Sequence, residues 1–526
     1  MRSRFALACS AWLLAAGCAE AGAAVPREID AGGAEPEAPP ECVRRELAVS
    51  IASETTDAVP AGTPVTYRVT IANRDEPSCE PERFLASLTP PTDGLEFRAE
   101  PESLATEALA GGESVELGFT LTSRADQDPG DYALGVFVRS QDTAVIRSAK
   151  VADTYRVRTP EQCYVAPSRG LLVRHVSVVD DPERTAPGGA WTFGRLMQQA
   201  LSEPSAAARE IEAVFASFAA PQEINGFRVA ARPNTQGLVL DPWPRTEQGE
   251  LDLMRAPFRL LAIAHRLDLA NVAERSAGEG RFVYGVLDRG GASLLFTVIL
   301  EYQLPTSAGD WGAAVHALQA VPFPSPEYNA ALQQLTDRYT ARGAAPQAPN
   351  GSALLRVRTN ENALGRDGRW EMREFRPARA SGVLEPAALA QTPDTSFNGS
   401  PELMRFIESN RASILRESHA VPALFEDSPF QAGALINTLE YWTAAGLGDS
   451  ELRHKFSLNT CSGCHGGETS TSFFQVFPRA AGEQSRISDF LTGVSMRDPV
   501  TGEARPYNEL ARRRQLLEST VCGTAE

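Results

Sequence analysis

The sequence predicts a multidomain chain with an N-terminal β-sandwich, a central α+β domain and a C-terminal unit that is mostly α-helical. Three observations support this order. Short β-rich runs occupy residues 42–158, helical and strand patterns mix over 165–428, and a Cys-x-x-Cys-His run lies between helical patterns in 430–526. A length of 526 residues with 43% hydrophobic residues is ample for several cores.

Residues 1–17 have the composition of an export signal. Arg2 and Arg4 precede an apolar run that ends at Leu14, and small residues follow it. The apolar run is much shorter than the ~20 residues that a membrane-spanning helix needs. We therefore expect this segment to direct export and to be removed.

The run Leu14-Ala-Ala-Gly17-Cys18 resembles the lipobox at which bacterial lipoproteins are cleaved and acylated. That resemblance implies that Cys18 becomes a lipidated N-terminus, followed by a flexible tether over 18–41 that is rich in Ala, Gly, Glu and Pro. The alternative is an ordinary signal peptide with an incidental cysteine. The expected location is the periplasm or cell surface, with membrane attachment through lipid alone. The outer membrane is the favoured site of attachment, and the inner membrane is the alternative.

The net charge of the chain is −17. This charge argues against nucleic-acid binding and against electrostatic adhesion to anionic lipid. It is compatible with a basic partner protein or a cationic ligand.

The β-sandwich prediction rests on seven β-rich runs separated by turn residues. These runs are Leu47–Ala52, Val65–Asn73, Phe84–Leu88, Leu95–Ala99, Ser114–Thr122, Tyr132–Arg139 and Ala144–Val151. Pro129-Gly-Asp-Tyr132 resembles the tyrosine corner of immunoglobulin-like folds, in which a phenol bonds back to nearby backbone. Without a cluster of metal-ligating residues or a nucleophile beside a base, this domain is interpreted as a spacer or adhesion module.

Four cysteines form an even set once the signal, Cys18 and the C-terminal motif are set aside. These are Cys42, Cys79, Cys163 and Cys522, which allow three connectivities. An exported chain permits disulfides. Cys42 with Cys79 is the first choice because both lie in one predicted domain, and Cys163 with Cys522 follows by elimination.

The central domain, 165–428, has no predicted activity. Helices are predicted at Phe193–Phe218, Pro326–Arg342 and Pro401–Glu417, and two hairpins at 281–303 and 353–375. Charges recur along the second hairpin, at Arg356, Arg358, Glu361, Glu371, Arg373 and Glu374. They are expected to form ion pairs on an exposed face; the alternative is a polar cleft.

The run Cys461-Ser-Gly-Cys464-His465 is the most specific motif in the chain. Covalent attachment of a c-type haem needs two thiols with this spacing, which reach the two vinyl groups, and an adjacent imidazole for the iron. Cys461 and Cys464 would become thioethers and His465 an axial ligand. With eight cysteines and six histidines, about 0.001 such matches are expected by chance.

The region around the motif resembles class I cytochrome c domains, with helical patterns at Phe430–Ala445 and Tyr507–Ser519. The resemblance implies one covalent haem c and one-electron transfer. It also implies that the carbonyl of Pro478 orients His465 and that Met496 is the sixth iron ligand. His454 is the alternative sixth ligand, and an open or weakly held iron is a third possibility.

The motif also allows interpretations other than haem attachment. Cys461 and Cys464 could form a disulfide with each other or with Cys522, or bind zinc together with His465. The rest of the chain resembles uncharacterised bacterial lipoproteins that end in one haem motif, on segments such as Asp241-Pro-Trp-Pro244.

Electron transfer with an unknown, basic redox partner is therefore the leading function, and no catalytic residue is assigned. A surface-binding or adhesion protein with a structural or sensory haem is one alternative. A haem-dependent enzyme whose substrate binds in the central domain is the other.

Overall fold

The computed structural model describes residues 42–522 except for short gaps. These gaps are 56, 92–96, 125–126, 129, 142–146, 159–163, 202, 204, 349 and 438–440. The predicted export signal, the acylation of Cys18, the tether and the pairing of Cys163 with Cys522 lie outside what is described. The chain forms two compact units, Met1–Thr159 and Pro160–Glu526.

The first unit is a sandwich of two four-stranded antiparallel sheets. Its strands are β1 Ala48–Ser53, β2 Pro64–Ala72, β3 Phe84–Thr89, β4 Phe97–Glu100, β5 Ser103–Ala105, β6 Ser114–Ser123, β7 Gly130–Ser140 and β8 Ser148–Val157. The sheet orders are β1-β2-β6-β4 and β5-β3-β7-β8. Alternate side chains of β2, β3, β6 and β7 meet in one apolar core, as a period of two predicts.

Two local predictions for this unit are confirmed. Cys42 and Cys79 form a disulfide. The Tyr132 hydroxyl donates to the Asp128 carbonyl at 2.7 Å, which is the bond of a tyrosine corner. Each of the seven predicted strands overlaps an observed one, and among the described residues of this unit only the short β5 was missed.

The second unit combines one large sheet with helices and small hairpins. Its strands are β9 Leu172–Val173, β10 Gln222–Ile224, β11 Phe227–Val229, β12 Phe258–Arg266, β13 Glu279–Leu287, β14 Ser293–Gln303, β15 Leu354–Glu361, β16 Trp370–Pro377, β17 Leu384–Ala387, β18 Leu424–Phe425, β19 Ser428–Pro429, β20 Leu435–Asn437, β21 Val494–Arg497 and β22 Ala504–Tyr507. Its helices are α1 Pro167–Gly170, α2 Val176–Val179, α3 Pro182–Thr185, α4 Phe193–Ala200, α5 Ala207–Ala216, α6 Ala308–Ala317, α7 Pro326–Thr340, α8 Pro401–Ser409, α9 Arg411–Leu415, α10 Ser450–Leu458, α11 Cys461–Cys464, α12 Asp489–Thr492 and α13 Glu509–Cys522.

The large sheet is antiparallel, in the order β17-β16-β15-β14-β13-β12-β9, and β20 also pairs with β16. Both predicted hairpins, β13–β14 and β15–β16, are confirmed. One face packs on the largest core, which includes side chains from α4, α5, α6 and α7. The C-terminal segment covers the other face, where Val476, Phe490 and Tyr507 pack on residues of β12 and β13.

Two long helices begin where the sequence signals a start. The hydroxyls of Ser325 and Ser400 accept backbone N–H bonds three residues ahead, and Pro326 and Pro401 occupy the first helical position. The predicted helix Phe193–Phe218 is instead divided into α4 and α5. No helix among the described residues has both the length and the apolar composition needed to cross a bilayer.

The expectation of a mostly helical C-terminal unit is not confirmed. Residues of the predicted helix Phe430–Ala445 instead form β20, which pairs with β16 of the large sheet. The hairpin β21–β22 adds further strand structure before α13. The motif-bearing segment therefore belongs to the same compact unit as the central sheet.

Candidate haem attachment site

The motif forms α11, a single helical turn that follows α10. Thr460 caps this turn, since its hydroxyl accepts the Gly463 N–H at 3.0 Å. A Cβ on Gly463 would lie 1.8 Å from the Ser457 carbonyl oxygen, so only glycine fits at this position of the motif. The His465 N–H closes the turn on the Cys461 carbonyl at 2.8 Å.

Both motif thiols are free, and they lie against different apolar groups. Cys461 packs with Trp370 and Met372 of β16, whereas Cys464 packs with the apolar group that contains Met496. Burial raises the pKa of both thiols, that of Cys464 to about 11. Both are therefore neutral thiols at physiological pH.

This arrangement disfavours two alternatives for the motif. A disulfide between Cys461 and Cys464 is absent, since both are free. In the described part of the chain, the one group of three metal-ligating side chains with ligand atoms within 4.8 Å of each other is His454, Glu468 and Asp498. Cys461, Cys464 and His465 thus do not converge as zinc ligands do.

The imidazole of His465 has a defined tautomer. Its Nδ1 lies 2.6 Å from the Phe473 carbonyl oxygen, which can only accept, so Nδ1 carries the proton. Burial lowers the pKa of His465 to about 4, which keeps the ring neutral. Nε2 therefore holds the lone pair that an iron ligand needs.

Phe473 contacts His465 through the backbone in both directions. Its N–H donates to the His465 carbonyl at 3.2 Å, while its own carbonyl accepts from the ring. Phe473 has a φ of 63°, a left-handed conformation that is strained for a bulky side chain. Phe473 thus provides the orienting carbonyl that the cytochrome resemblance assigned to Pro478.

An indole from the central sheet stacks on the same imidazole. The Trp370 ring centroid lies 5.8 Å from that of His465 with an interplanar angle of 23°, and 5.4 Å from that of Phe473 at 12°. Trp370 is 1% exposed. Sequence reasoning missed this contact because Trp370 precedes the motif by almost a hundred residues and lies on a hairpin whose charges were expected to form an exposed face.

The two predicted sixth ligands have different surroundings. Met496, on β21, is half-buried in the apolar group that also contains Cys464. His454, on α10, is buried, and its Nδ1 lies 2.5 Å from Glu468 Oε1. Arg453 bonds Glu468 at 2.7 and 2.8 Å and Asp498 at 3.0 Å, so His454 belongs to an ion network.

The charges of the β15–β16 hairpin are buried, so the prediction of an exposed face is wrong. Arg358 lies 2.9 Å from Glu374 and 3.4 Å from Glu301, and the C-terminal segment covers this side of the sheet. The opposite face of the hairpin is buried as well: Arg232 pairs with Glu361 at 2.6 Å, and Arg373 with Glu371 at 3.0 Å. The guanidinium of Arg358 also acts on the motif, since its charge lowers the pKa of Cys461 against the larger effect of burial.

No protein-family profile matches the sequence, and no curated protein matches it. Among solved structures, a FixG-related protein from Vibrio parahaemolyticus is 10% identical over 22% of this chain and 99% of its own, with a TM-score of 0.17. The fimbrial subunit MyfA from Yersinia enterocolitica is 18% identical over 21% and 99%, with a TM-score of 0.16. A conjugative transposon lipoprotein from Bacteroides eggerthii is 10% identical over 21% and 95%, with a TM-score of 0.14.

Proposed function

We propose that this chain is an exported lipoprotein that carries one covalent haem c and transfers single electrons. Cys461 and Cys464 attach the haem, and His465 is the proximal ligand. The observation that carries the proposal is the His465 imidazole, whose Nδ1 proton is held by the Phe473 carbonyl beside two free thiols. When bound, the haem supplies an iron that alternates between two oxidation states.

The chemistry of the donor set fits this group. Thioether formation consumes two thiols, and here both are reduced and protonated. Axial ligation needs a neutral imidazole, and burial keeps His465 neutral. The apolar side chains that pack on Cys461 and Cys464 suit a porphyrin face, which is itself apolar.

Met496 is the sixth ligand in this proposal. This assignment is supported by the apolar group that Met496 shares with Cys464, because that group places the Met496 thioether on the same side of the sheet as the motif. The rival His454 has its Nδ1 engaged by Glu468, so ligation would place a buried ion network against the iron. A thioether ligand favours a comparatively high reduction potential.

The proposed location outside the cytoplasm has one supporting observation among the described residues. Cys42 and Cys79 form a disulfide, and structural disulfides persist in oxidising compartments. Anchoring through an acylated Cys18 and the exchange of electrons with a basic partner complete the proposal.

The test is expression with the native export signal in a host that matures c-type cytochromes. An alkaline pyridine haemochrome spectrum and a haem-stained denaturing gel should show covalent haem in the wild type. The variant Cys461→Ala/Cys464→Ala should show none. Cys42→Ser/Cys79→Ser is the matched control, because it removes two cysteines from the other compact unit and should keep its haem. Exported wild-type protein without covalent haem would refute the proposal.

A further inference from the structure

We propose that Asn360 of the central sheet is a positioning residue for His465, and that it tunes the reduction potential of the haem iron through the Phe473 carbonyl. This inference rests on the proposed function. It concerns a residue that precedes the motif by about a hundred positions and that no sequence pattern around the motif points to.

The Phe473 carbonyl oxygen accepts two hydrogen bonds. One comes from His465 Nδ1 at 2.6 Å and the other from Asn360 Nδ2 at 3.1 Å. Asn360 lies on β15 and is 3% exposed, so water does not compete for its amide. The His465 imidazole and the Asn360 amide thus donate to the same carbonyl oxygen.

The orientation of the Asn360 amide follows from its second partner. The indole Nε1 of Trp370 hydrogen-bonds the Asn360 side chain, and an indole N–H can only donate. The atom that faces Trp370 is therefore Oδ1, and Nδ2 is left to donate to Phe473. Trp370 also stacks on His465 and Phe473. These three residues and Asn360 therefore form one cluster of mutual contacts.

The physical consequence concerns the electron density on the imidazole. A strong Nδ1–H bond makes a ligating histidine more basic, which stabilises the ferric iron and lowers the reduction potential. A carbonyl that already accepts a bond from Asn360 is a weaker acceptor for His465. Asn360 therefore weakens the hydrogen bond from His465 Nδ1 to the Phe473 carbonyl, and it keeps the reduction potential of the haem iron higher than it would be without this amide.

The test compares Asn360→Leu with the matched variant Thr359→Val in the full-length, haem-loaded protein. Leucine is close in size to asparagine but donates no hydrogen bond, whereas Thr359 lies on the same strand with its side chain on the opposite face. We expect Asn360→Leu to raise the ferric-to-ferrous ratio at the wild-type midpoint potential about threefold, which corresponds to ~28 mV for one electron. Thr359→Val should leave the potential unchanged.

A second readout follows the hydrogen bond itself. In the ferrous protein the proton NMR signal of His465 Nδ1–H should move downfield in Asn360→Leu, as a stronger bond requires. If that variant fails to fold, Asn360→Ala, which removes the donor without adding apolar bulk, takes its place.

The outcomes separate the two proposals. Wild-type protein without haem would refute the proposed function and this inference together. Haem-loaded variants with the wild-type potential and the wild-type Nδ1–H signal would overturn the role of Asn360 alone.

Discussion

The guanidinium of Arg358 and the carboxylate of Glu374 lie 2.9 Å apart on directly paired positions of β15 and β16. Their side chains are 12% and 0% exposed. Cys461 lies close enough for the Arg358 charge to lower its pKa and for the Glu374 charge to raise it. The charge of Arg358 is balanced by Glu374 and Glu301, and Glu301 also lies 3.4 Å from Arg281 and Arg356. The face of the sheet near Cys461 therefore carries many charged side chains but little net charge.

Breaking this buried pair should destabilise the second unit strongly. In Arg358→Met the Glu374 and Glu301 carboxylates lose one guanidinium partner that water cannot replace, at a cost of about 1.5–3 kcal/mol. The cost stays below that of an unpaired buried charge because Arg376 still pairs with Glu374, and Arg281 and Arg356 still pair with Glu301. Urea unfolding followed by tryptophan fluorescence measures this, since every tryptophan beyond the export signal lies in the second unit. The control is Arg405→Met, which breaks an exposed pair with Glu426 and should leave the midpoint unchanged. Equal midpoints for the two variants would contradict the prediction.

Replacing the proposed sixth ligand should alter the iron without removing the haem. In Met496→Leu we expect covalent attachment to persist, the potential to fall and carbon monoxide to bind the ferrous protein faster, because the sixth position is open. Met372→Leu is the matched control, since Met372 is a buried methionine beside Cys461. Potentiometric titration and carbon monoxide mixing measure both variants. Unchanged ligand binding in Met496→Leu would direct attention to His454.

Local signals in the sequence predicted much of the fold. Alternation of apolar and polar residues predicted the strands of the sandwich. Location in one predicted domain correctly paired Cys42 with Cys79, and turn residues predicted the positions of both hairpins. Failures occurred where a distant segment decides the environment. The β15–β16 charges resemble an exposed face until the C-terminal segment covers them, and β20 forms only because β16 offers an edge for pairing.

The site itself was only partly predictable for the same reason. The motif identified the thiols and His465 because attachment requires fixed spacing. The carbonyl that accepts the bond from His465 belongs to Phe473, which has a left-handed backbone conformation. Glycine or asparagine would have signalled that conformation in the sequence, whereas phenylalanine does not. Trp370 and Asn360 reach the motif through tertiary packing, which neither composition nor periodicity indicates.

Removing the disulfide should destabilise the first unit only. The Cys42–Cys79 bond closes a loop with a sequence separation of 37 residues, and its loss in Cys42→Ser/Cys79→Ser should cost about 4 kcal/mol through unfolded-state entropy. Thermal unfolding followed by circular dichroism should show an earlier transition of the β-rich unit. The tryptophan-detected transition should not move, and a shift in both transitions would show that the effect is not confined to the sandwich.

The pH dependence of stability should contain a contribution from His265, which is buried against Trp311 and Tyr339. Burial lowers its pKa from 6.5 to about 4. The unfolded chain therefore takes up a proton below about pH 6.5 while the folded chain does not, so stability is complete above this pH and falls as the pH decreases towards 4. At about 1.4 kcal/mol for each pH unit, the loss from His265 between about pH 7.5 and about pH 5 is ~2 kcal/mol.

The variant His265→Gln isolates this contribution, because glutamine does not titrate and retains a donor for the Gly170 carbonyl that His265 Nδ1 contacts at 2.8 Å. Its free energy of unfolding should start lower than that of the wild type at about pH 7.5, yet decrease by ~2 kcal/mol less on acidification to about pH 5. Parallel curves for His265→Gln and the wild type would mean that His265 takes up its proton in the folded protein, and that the aromatic packing around it opens to water before the unit unfolds.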